Sequence, residues 1–344
     1  MGKNLFEVRA RFKLILEQVE YAVMKKTILA FSRVSPSLLE PYRDDYDVII
    51  ISPELGDMDA QFEAAISNAH GLIGGSRRLG EAELAAAVNL EIVSSISVGY
   101  DNYDLDYLNS RGIMLTNTPD VLNETTADLA LALILATARR IPELDSWTKE
   151  GNWTQNIDAS QFGCDVHGKT LGIIGLGKIG EAIARRGRFG FGMTILYSGN
   201  SRKPKLEQEL GARFVPQEEL LSASDFVCPV VPLTDATRNL IGRKELALMG
   251  PESILINISR GPVVDQDALI EALQEKTIRA AGLDVYVKEP LTNSELFNLR
   301  NVVTVPHIGS ATTDTRNAMA KRALENLLAG LEGRQPRDLV HFKK

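Results

Sequence analysis

Apolar positions along this chain fall into two spacings. Short runs rich in β-branched residues occupy 26–32 (KTILAFS), 47–51 (DVIII), 70–75 (HGLIGG), 90–97 (LEIVSSIS) and 113–118 (IMLTNT). Between them, stretches such as 59–68 and 81–88 place an apolar residue at every third or fourth position. Strands that alternate with amphipathic helices predict a parallel sheet with helices on both faces. A long helical pattern follows, from about Asn123 to Gly151. Its first half is apolar nearly all round, so it is expected to be buried, between domains, between subunits or in an ordinary core. Pro142 should end or kink it.

After the loop NIDASQFGCDVHG the alternation resumes. Six apolar runs, 171–174, 194–197, 226–231, 254–258, 280–285 and 302–305, are separated by helical stretches. A last helix, 312–330, ends at a glycine and comes after the second series is complete. It is expected to return to the first series. The predicted division is therefore a discontinuous domain, 24–122 with 310–344, around a second domain, 123–309. The segment MGKNLFEVRARFKLILEQVEYAV precedes a natural strand start at MKKTILAFS. Residues 1–23 are thus expected to be an extension outside the fold, with a docked N-terminal helix as the alternative.

Composition narrows the class. The chain has 344 residues, 44% hydrophobic and 24% charged, and no apolar run near the roughly 18–20 residues of a membrane span. Net charge is −7, with a pI of about 5.3. That argues against non-specific nucleic-acid binding, yet a local arginine can still serve a small anion. The two cysteines, Cys164 and Cys228, form neither a metal spacing nor a disulfide framework. No metal and a reducing, cytoplasmic compartment are expected.

The stretch LGIIGLGKIG carries the first chemistry. Gly175 would make a tight turn after a strand, Gly177 would let backbone N–H groups approach a pyrophosphate, and Gly180 would let the next helix pack on the strand. The positive end of that helix then faces the phosphates. Six strands is also the number of a full dinucleotide-binding sheet. An NAD site should show an Asp or Glu about 20 residues on, to accept the ribose hydroxyls. Ser198 stands there instead, and no carboxylate appears before Glu207. Ser198, Asn200, Ser201, Arg202 and Lys203 form a run of donors, which points to the 2′-phosphate of NADP and a preference for NADPH.

Ligands of open α/β sheets lie at the carboxyl ends of the strands. Arg260 follows one run, Glu289 the next and His307 the one after. The other histidines, His70, His167 and His341, lie before strands or in the tail. A histidine titrates near neutral pH and can protonate the alkoxide left by hydride transfer to a ketone. A neighbouring Glu would hold the imidazole, and an Arg fork would take a carboxylate. In the first series, Gly99 (SISVGYDN) and Gly75 (GGSRRLG) follow strands and would face an anion. Arg77 and Arg78 would either meet the substrate or be solvated loop charges.

Several long motifs in order, SVGYDN, TPDVL with TTADLALALIL, GKTLGIIGLGKIG, INISRGPVVD, AAGLDVY and PHIGSAT, resemble the D-isomer-specific 2-hydroxyacid dehydrogenases from Met24 to the C-terminus. Within that family the chain is most similar to the glyoxylate/hydroxypyruvate reductase branch. QFGCDVHGKTLGI, YSGNSRK and QPRDLV are similar to bacterial 2-ketogluconate reductases. The resemblance implies two Rossmann-like or flavodoxin-like domains, an active site in the interdomain cleft and a homodimer through the cofactor domain. It implies that Arg260 binds the substrate carboxylate with the amides of Val98 and Gly99, that Glu289 supports His307 as proton donor, and that Ser310 lies near the substrate. Leu176, Lys178, Ile179, Val231, Pro232, Thr237, Ile258, Ser259, Asp284 and Gly309 join the cofactor contacts, with Arg260 and His307. The implied reaction is NADPH-dependent reduction of a 2-keto acid to a D-2-hydroxy acid, with 2-ketogluconate first and hydroxypyruvate and glyoxylate beside it. Asn156, where some relatives carry a Trp, leaves room for a longer hydroxylated chain. Pro306 before the His, where formate dehydrogenases carry Gln, argues against formate oxidation. A non-catalytic dinucleotide-sensing protein is the reading from another class, and the intact triad argues against it.

Overall fold

The computed structural model describes residues 25–341; the extension expected at 1–23 lies outside them. The described chain divides into two compact units, residues 25–118 with 320–341, and residues 119–319. The first unit holds β1 (Thr27–Ala30), β2 (Asp47–Ile50), β3 (Gly71–Gly74), β4 (Ile92–Ser95) and β5 (Met114–Thr116). They form one parallel sheet in the order β2-β1-β3-β4-β5, the flavodoxin-like arrangement. Residues 28–30, 72–73 and 92–93 are entirely buried, as continuous apolar runs in a two-sided parallel sheet should be. Helix α1 (Met58–Ala65) starts where the Asp57 carboxylate accepts the N–H groups of Asp59 and Ala60. Asp104 caps α2 (Leu105–Ser110) in the same way, through Tyr107. Among residues 320–341, the Asp338 carboxylate accepts from Arg322 and Asn326, and Val340 donates to the carbonyl of Leu115 in β5.

In the second unit, α3 (Asn123–Ala138) and α4 (Ile141–Lys149) replace the single helix expected at 123–151. The break falls at Arg139 and at Arg140, whose φ is +56°. Pro142 sits in the first turn of α4, where its missing N–H costs nothing, so the disruption is displaced upstream of it. The carbonyl of Ala138 accepts from Cys164 N instead of continuing the helix. Helix α3 is a core helix of this unit. Ala127, Ala130, Leu133, Ile134 and Ala138 are buried among residues of the sheet.

Seven parallel strands follow: β6 (Thr170–Ile174), β7 (Thr194–Ser198), β8 (Arg213–Phe214), β9 (Phe226–Pro229), β10 (Ile254–Asn257), β11 (Ala280–Leu283) and β12 (Val302–Thr304). Six match the expected runs. The two-residue β8 was not expected, because two residues show no periodicity. The sheet order is β12-β11-β10-β9-β6-β7-β8. In this unit's own sequence that is 7-6-5-4-1-2-3, the doubly wound order with one strand added. Helices α5 (Lys178–Arg185), α6 (Pro204–Leu210), α7 (Gln217–Ala223), α8 (Arg243–Met249) and α9 (Gln266–Gln274) connect the strands. Finally α10 (Thr313–Leu331) runs past the expected stop at Gly330. A Cβ on Gly330 would lie 2.5 Å from Ile92 of β4, so that glycine serves packing, and Gly333, with φ +73°, turns the chain instead. The unit boundary at 319/320 falls within α10 and not at the expected 309/310.

Candidate active site

The switch point of the seven-stranded sheet lies between β6 and β9, where the connections reverse direction. The glycine turn sits there. Gly175 has φ +98°, and a Cβ on it would come within 2.6 Å of the Val230 carbonyl, so only glycine fits. Gly180 lies in α5, and a Cβ on it would meet the Gly175 carbonyl at 2.6 Å, which ties helix to turn. Gly177 caps α5 and has open space in front of it. Leu176 is buried below the turn and Ile179 packs against the same core, so both serve through backbone and packing. The Lys178 ammonium pairs with Asp120 at 2.5 Å.

Ser198 ends β7, and its carbonyl accepts from Gly175 N at 2.9 Å. The residue is buried, yet its hydroxyl finds no partner among the described residues. A buried hydroxyl left unpaired is costly unless something outside the chain satisfies it. An orphaned hydroxyl at the ribose position, a glycine cradle and an open helix N-terminus together fit an adenine dinucleotide. Asn200 and Ser201 lie exposed in the loop after β7. Arg202, expected to be open to a phosphate, places Nε and Nη2 on the Glu207 carboxylate at 3.1 and 2.5 Å. Lys203 is exposed, and its backbone N–H donates to the Tyr197 hydroxyl.

Val231 and Pro232 follow β9, and Thr237 closes their turn by donating its hydroxyl to the Pro232 carbonyl at 2.6 Å. Past β10, Ile258 and Ser259 are buried, and the Ser259 hydroxyl donates to Asn257 Oδ1 at 2.9 Å. Asn257 Nδ2 in turn donates to the Arg260 carbonyl at 3.0 Å, and Arg260 Nη1 donates to the Ser259 carbonyl at 2.8 Å.

The ends of β10, β11 and β12 are fastened to one another. A Cβ on Gly261 would lie 1.9 Å from the carbonyl carbon and oxygen of Tyr286, so the turn after β10 rests directly on the turn after β11. The Tyr286 hydroxyl lies within hydrogen-bond reach of the carbonyls of Leu283 and Val305, at 3.1 and 2.9 Å. Burial pushes this phenol up to about 12, so it stays protonated and able to donate. Tyr286 N–H donates to Glu289 Oε1 at 3.0 Å. Glu289 Oε2 lies 2.6 Å from His307 Nδ1. Burial pushes the Glu289 carboxyl up, but the hydrogen bonds from His307 and Tyr286 and the charges of His307 and Arg260 outweigh it and hold it below the usual range. An ionised Glu289 accepts only, so Nδ1 carries a proton and Nε2 is the exchanging nitrogen.

His307 has φ +51°, a conformation uncommon for a residue with a Cβ. Asp284 explains how it is kept. Its two oxygens accept the N–H groups of Ile308 and Gly309 at 2.5 and 2.9 Å, immediately after His307. Asp284 is 1% exposed, and burial pushes its carboxyl up to about 6. Thr126 of α3 donates to the Gly309 carbonyl at 3.0 Å. Ser310 follows, half-buried.

In the other unit, Val98 and Gly99 lie in the bend after β4, and the Val98 carbonyl accepts from Asn117 at 2.9 Å. Gly75, after β3, has its N–H on the Ser32 hydroxyl at 2.9 Å, so its amide is already engaged. Arg77 lies over the Phe62 ring, 4.0 Å from its centre, and pairs with Asp59, which makes it structural. Arg78 is exposed. Sequence reasoning missed Asn257, Tyr286 and Glu207, since their partners are brought together only by tertiary contact. It also missed Arg33 and Ser76, two left-handed residues joined by a 2.6 Å hydrogen bond, which no local pattern announces.

Residues 131–309, over half of the chain, match the model of the D-isomer specific 2-hydroxyacid dehydrogenase NAD-binding domain. Glyoxylate/hydroxypyruvate reductase B of Escherichia fergusonii is 45% identical over 319 residues, 92% of this chain and 98% of the relative. That of Serratia proteamaculans is 47% identical over 311 residues, 90% of this chain and 96% of the relative. Among solved structures, a Thermus thermophilus protein superposes with a TM-score of 0.83 at 38% identity, covering 92% of this chain and all of its own. An NADPH-dependent glyoxylate/hydroxypyruvate reductase from Sinorhizobium meliloti, in complex with NADP and malonate, gives 0.80 at 34% identity, covering 92% and 97%.

Proposed function

The chain belongs to the D-isomer specific 2-hydroxyacid dehydrogenases, and within that family we propose that it is an NADPH-dependent reductase of short 2-keto acids, with glyoxylate and hydroxypyruvate as its main substrates. The observation that carries this reading is the placement of Arg260, Glu289 and His307 at three adjacent strand ends, with His307 Nδ1 fixed on Glu289 at 2.6 Å. A nicotinamide dinucleotide held at the glycine turn would supply hydride for the keto carbon. Arg260 takes the substrate carboxylate in a planar fork and draws electron density from the adjacent carbonyl. His307 gives its Nε2 proton to the oxygen as negative charge develops there, and Glu289 stabilises the imidazolium before the transfer. Ser310 lies near the substrate in this reading. The product is a D-2-hydroxy acid. A homodimer through the 123–309 region and a cytoplasmic setting accompany this reading; among the described residues no helix is long and apolar enough to cross a membrane.

Full-length relatives at 45% and 47% identity, named for glyoxylate and hydroxypyruvate, move the first choice away from 2-ketogluconate. That longer substrate stays as a second reading, favoured by Asn156 in the exposed segment after α4. A steady-state comparison of the three keto acids, each with NADPH and NADH, tests the proposal. Glyoxylate and hydroxypyruvate should lead in kcat/KM, with NADPH the better donor. A large advantage for 2-ketogluconate, or equal use of both donors, would reject the corresponding half.

A further inference from the structure

We propose that Glu207 is a positioning residue for the 2′-phosphate of NADP, holding the Arg202 guanidinium so that its remaining edge faces the phosphate. The inference rests on the NADPH reading above. Glu207 is the first carboxylate after Ser198, yet it is fully engaged. Tyr197 donates its hydroxyl to Oε1 at 2.6 Å, Arg202 Nε donates to the same oxygen, and Arg202 Nη2 donates to Oε2 at 2.5 Å. The Tyr197 hydroxyl itself receives Lys203 N–H at 2.6 Å. A closed ring of hydrogen bonds thus joins the end of β7, the loop after it and the first turn of α6.

Within this ring the anchor and the presented group are distinct. Tyr197 is buried, its ring 5.2 Å from that of Phe214. The Glu207 side chain is 17% exposed and that of Arg202 65%. Arg202 first, and then Tyr197, hold the Glu207 carboxyl down at about 2, so the charge persists at every working pH. Arg202 Nη1 has no hydrogen-bond partner among the described residues. Arg202, Lys203 and Lys205 line a hollow of about 340 Å³ together with Glu181, so cations outnumber the one carboxylate there. An arginine on an exposed loop loses rotamer freedom when it binds an anion, and one already fixed loses less. A Glu207 that merely competed for Arg202 would have to let go, and Tyr197 keeps it in place.

Calorimetric titration with adenosine 2′,5′-bisphosphate and adenosine 5′-monophosphate separates the possibilities. The parent protein should favour the bisphosphate by about tenfold or more, and Arg202→Ala should erase that preference. Glu207→Gln should weaken the bisphosphate about tenfold and leave the monophosphate within about twofold. Tyr197→Phe should lose part of the same preference, and adding Glu207→Gln to Arg202→Ala should cost nothing more. Unchanged or tighter bisphosphate binding by Glu207→Gln overturns the proposal, the tighter result marking Glu207 as a competitor. Equal loss for both ligands also overturns it, since that is damage to the fold. A parent protein that does not discriminate removes the NADPH reading itself, and the proposal with it.

Discussion

His307 Nδ1 and Glu289 Oε2 form one hydrogen-bonded pair, to which the proposed function gives the proton transfer, and the imidazole helps hold that carboxylate ionised. His307→Ala should lower kcat by at least ~100-fold if Nε2 is the donor. Glu289→Gln removes the anion that favours imidazolium while keeping an amide oxygen for Nδ1. With a 2-keto acid, kcat should then fall about tenfold or more while KM stays within about twofold. An unchanged kcat would remove Glu289 from this role. His307 was legible in the sequence because it alone of four histidines stands just past a strand. Ser198 was legible as an absence, a missing carboxylate at a position where geometry asks for one. Glu207 was not legible, since its significance lies in reaching Tyr197 ten residues back and Arg202 five residues back across a turn.

Among the elements, the turns after β10, β11 and β12 matter more than the strands that carry them. Gly261 presses on the Tyr286 carbonyl, and Tyr286 N–H holds Glu289. Gly261→Ala should therefore act twice. It should destabilise the fold by about 1–3 kcal/mol as an overpacked contact, and it should lower kcat by moving Glu289 off His307. Thermal melting and turnover measured together check this, and a variant normal in both would show that the two turns are not coupled. Long parallel strands were readable because burial on both faces makes them continuous apolar runs. Two residues of β8 carry no such pattern. Pro142 announced that the 123–151 helix would break, but the site of the break depends on the Ala138 carbonyl finding Cys164, a contact no local rule contains.

At the scale of the whole molecule the described chain builds three buried clusters, two in the 119–319 unit and one in the other, and the glycine turn, the loop after β7, Arg260, Glu289 and His307 all belong to the 119–319 unit. In the other unit, Arg322 and Asp338 form an ion pair with side chains only 12% and 7% exposed. Asp338→Ala removes the carboxylate that accepts from Arg322 and Asn326 and should cost about 1–3 kcal/mol. Burial pushes the Asp338 carboxyl up, but hydrogen bonds from Arg322 and Asn326 prevail and hold it below the usual range. Its contribution is therefore present above the unfolded pKa of about 4 and is lost as pH falls through the lower folded value, so parent and variant should converge in acid. Bisphosphate binding should survive in Asp338→Ala at temperatures below the transition. An unchanged melting profile would contradict the ion-pair argument, and joint loss of ligand binding would show that the units do not melt independently. Two units were legible from two series of strands, but the 319/320 boundary was not, because it falls inside one uninterrupted helix.

The seven-stranded sheet also ends in a particular way. One margin is β8, two residues long and carrying Arg213; the other is β12, three residues long. An open sheet margin is a row of unsatisfied backbone groups on which another chain can add itself, and a margin this brief offers too few of them to hold a newcomer. This sheet is thereby guarded against strand-by-strand growth into fibres, a protection that comes from where its strands stop.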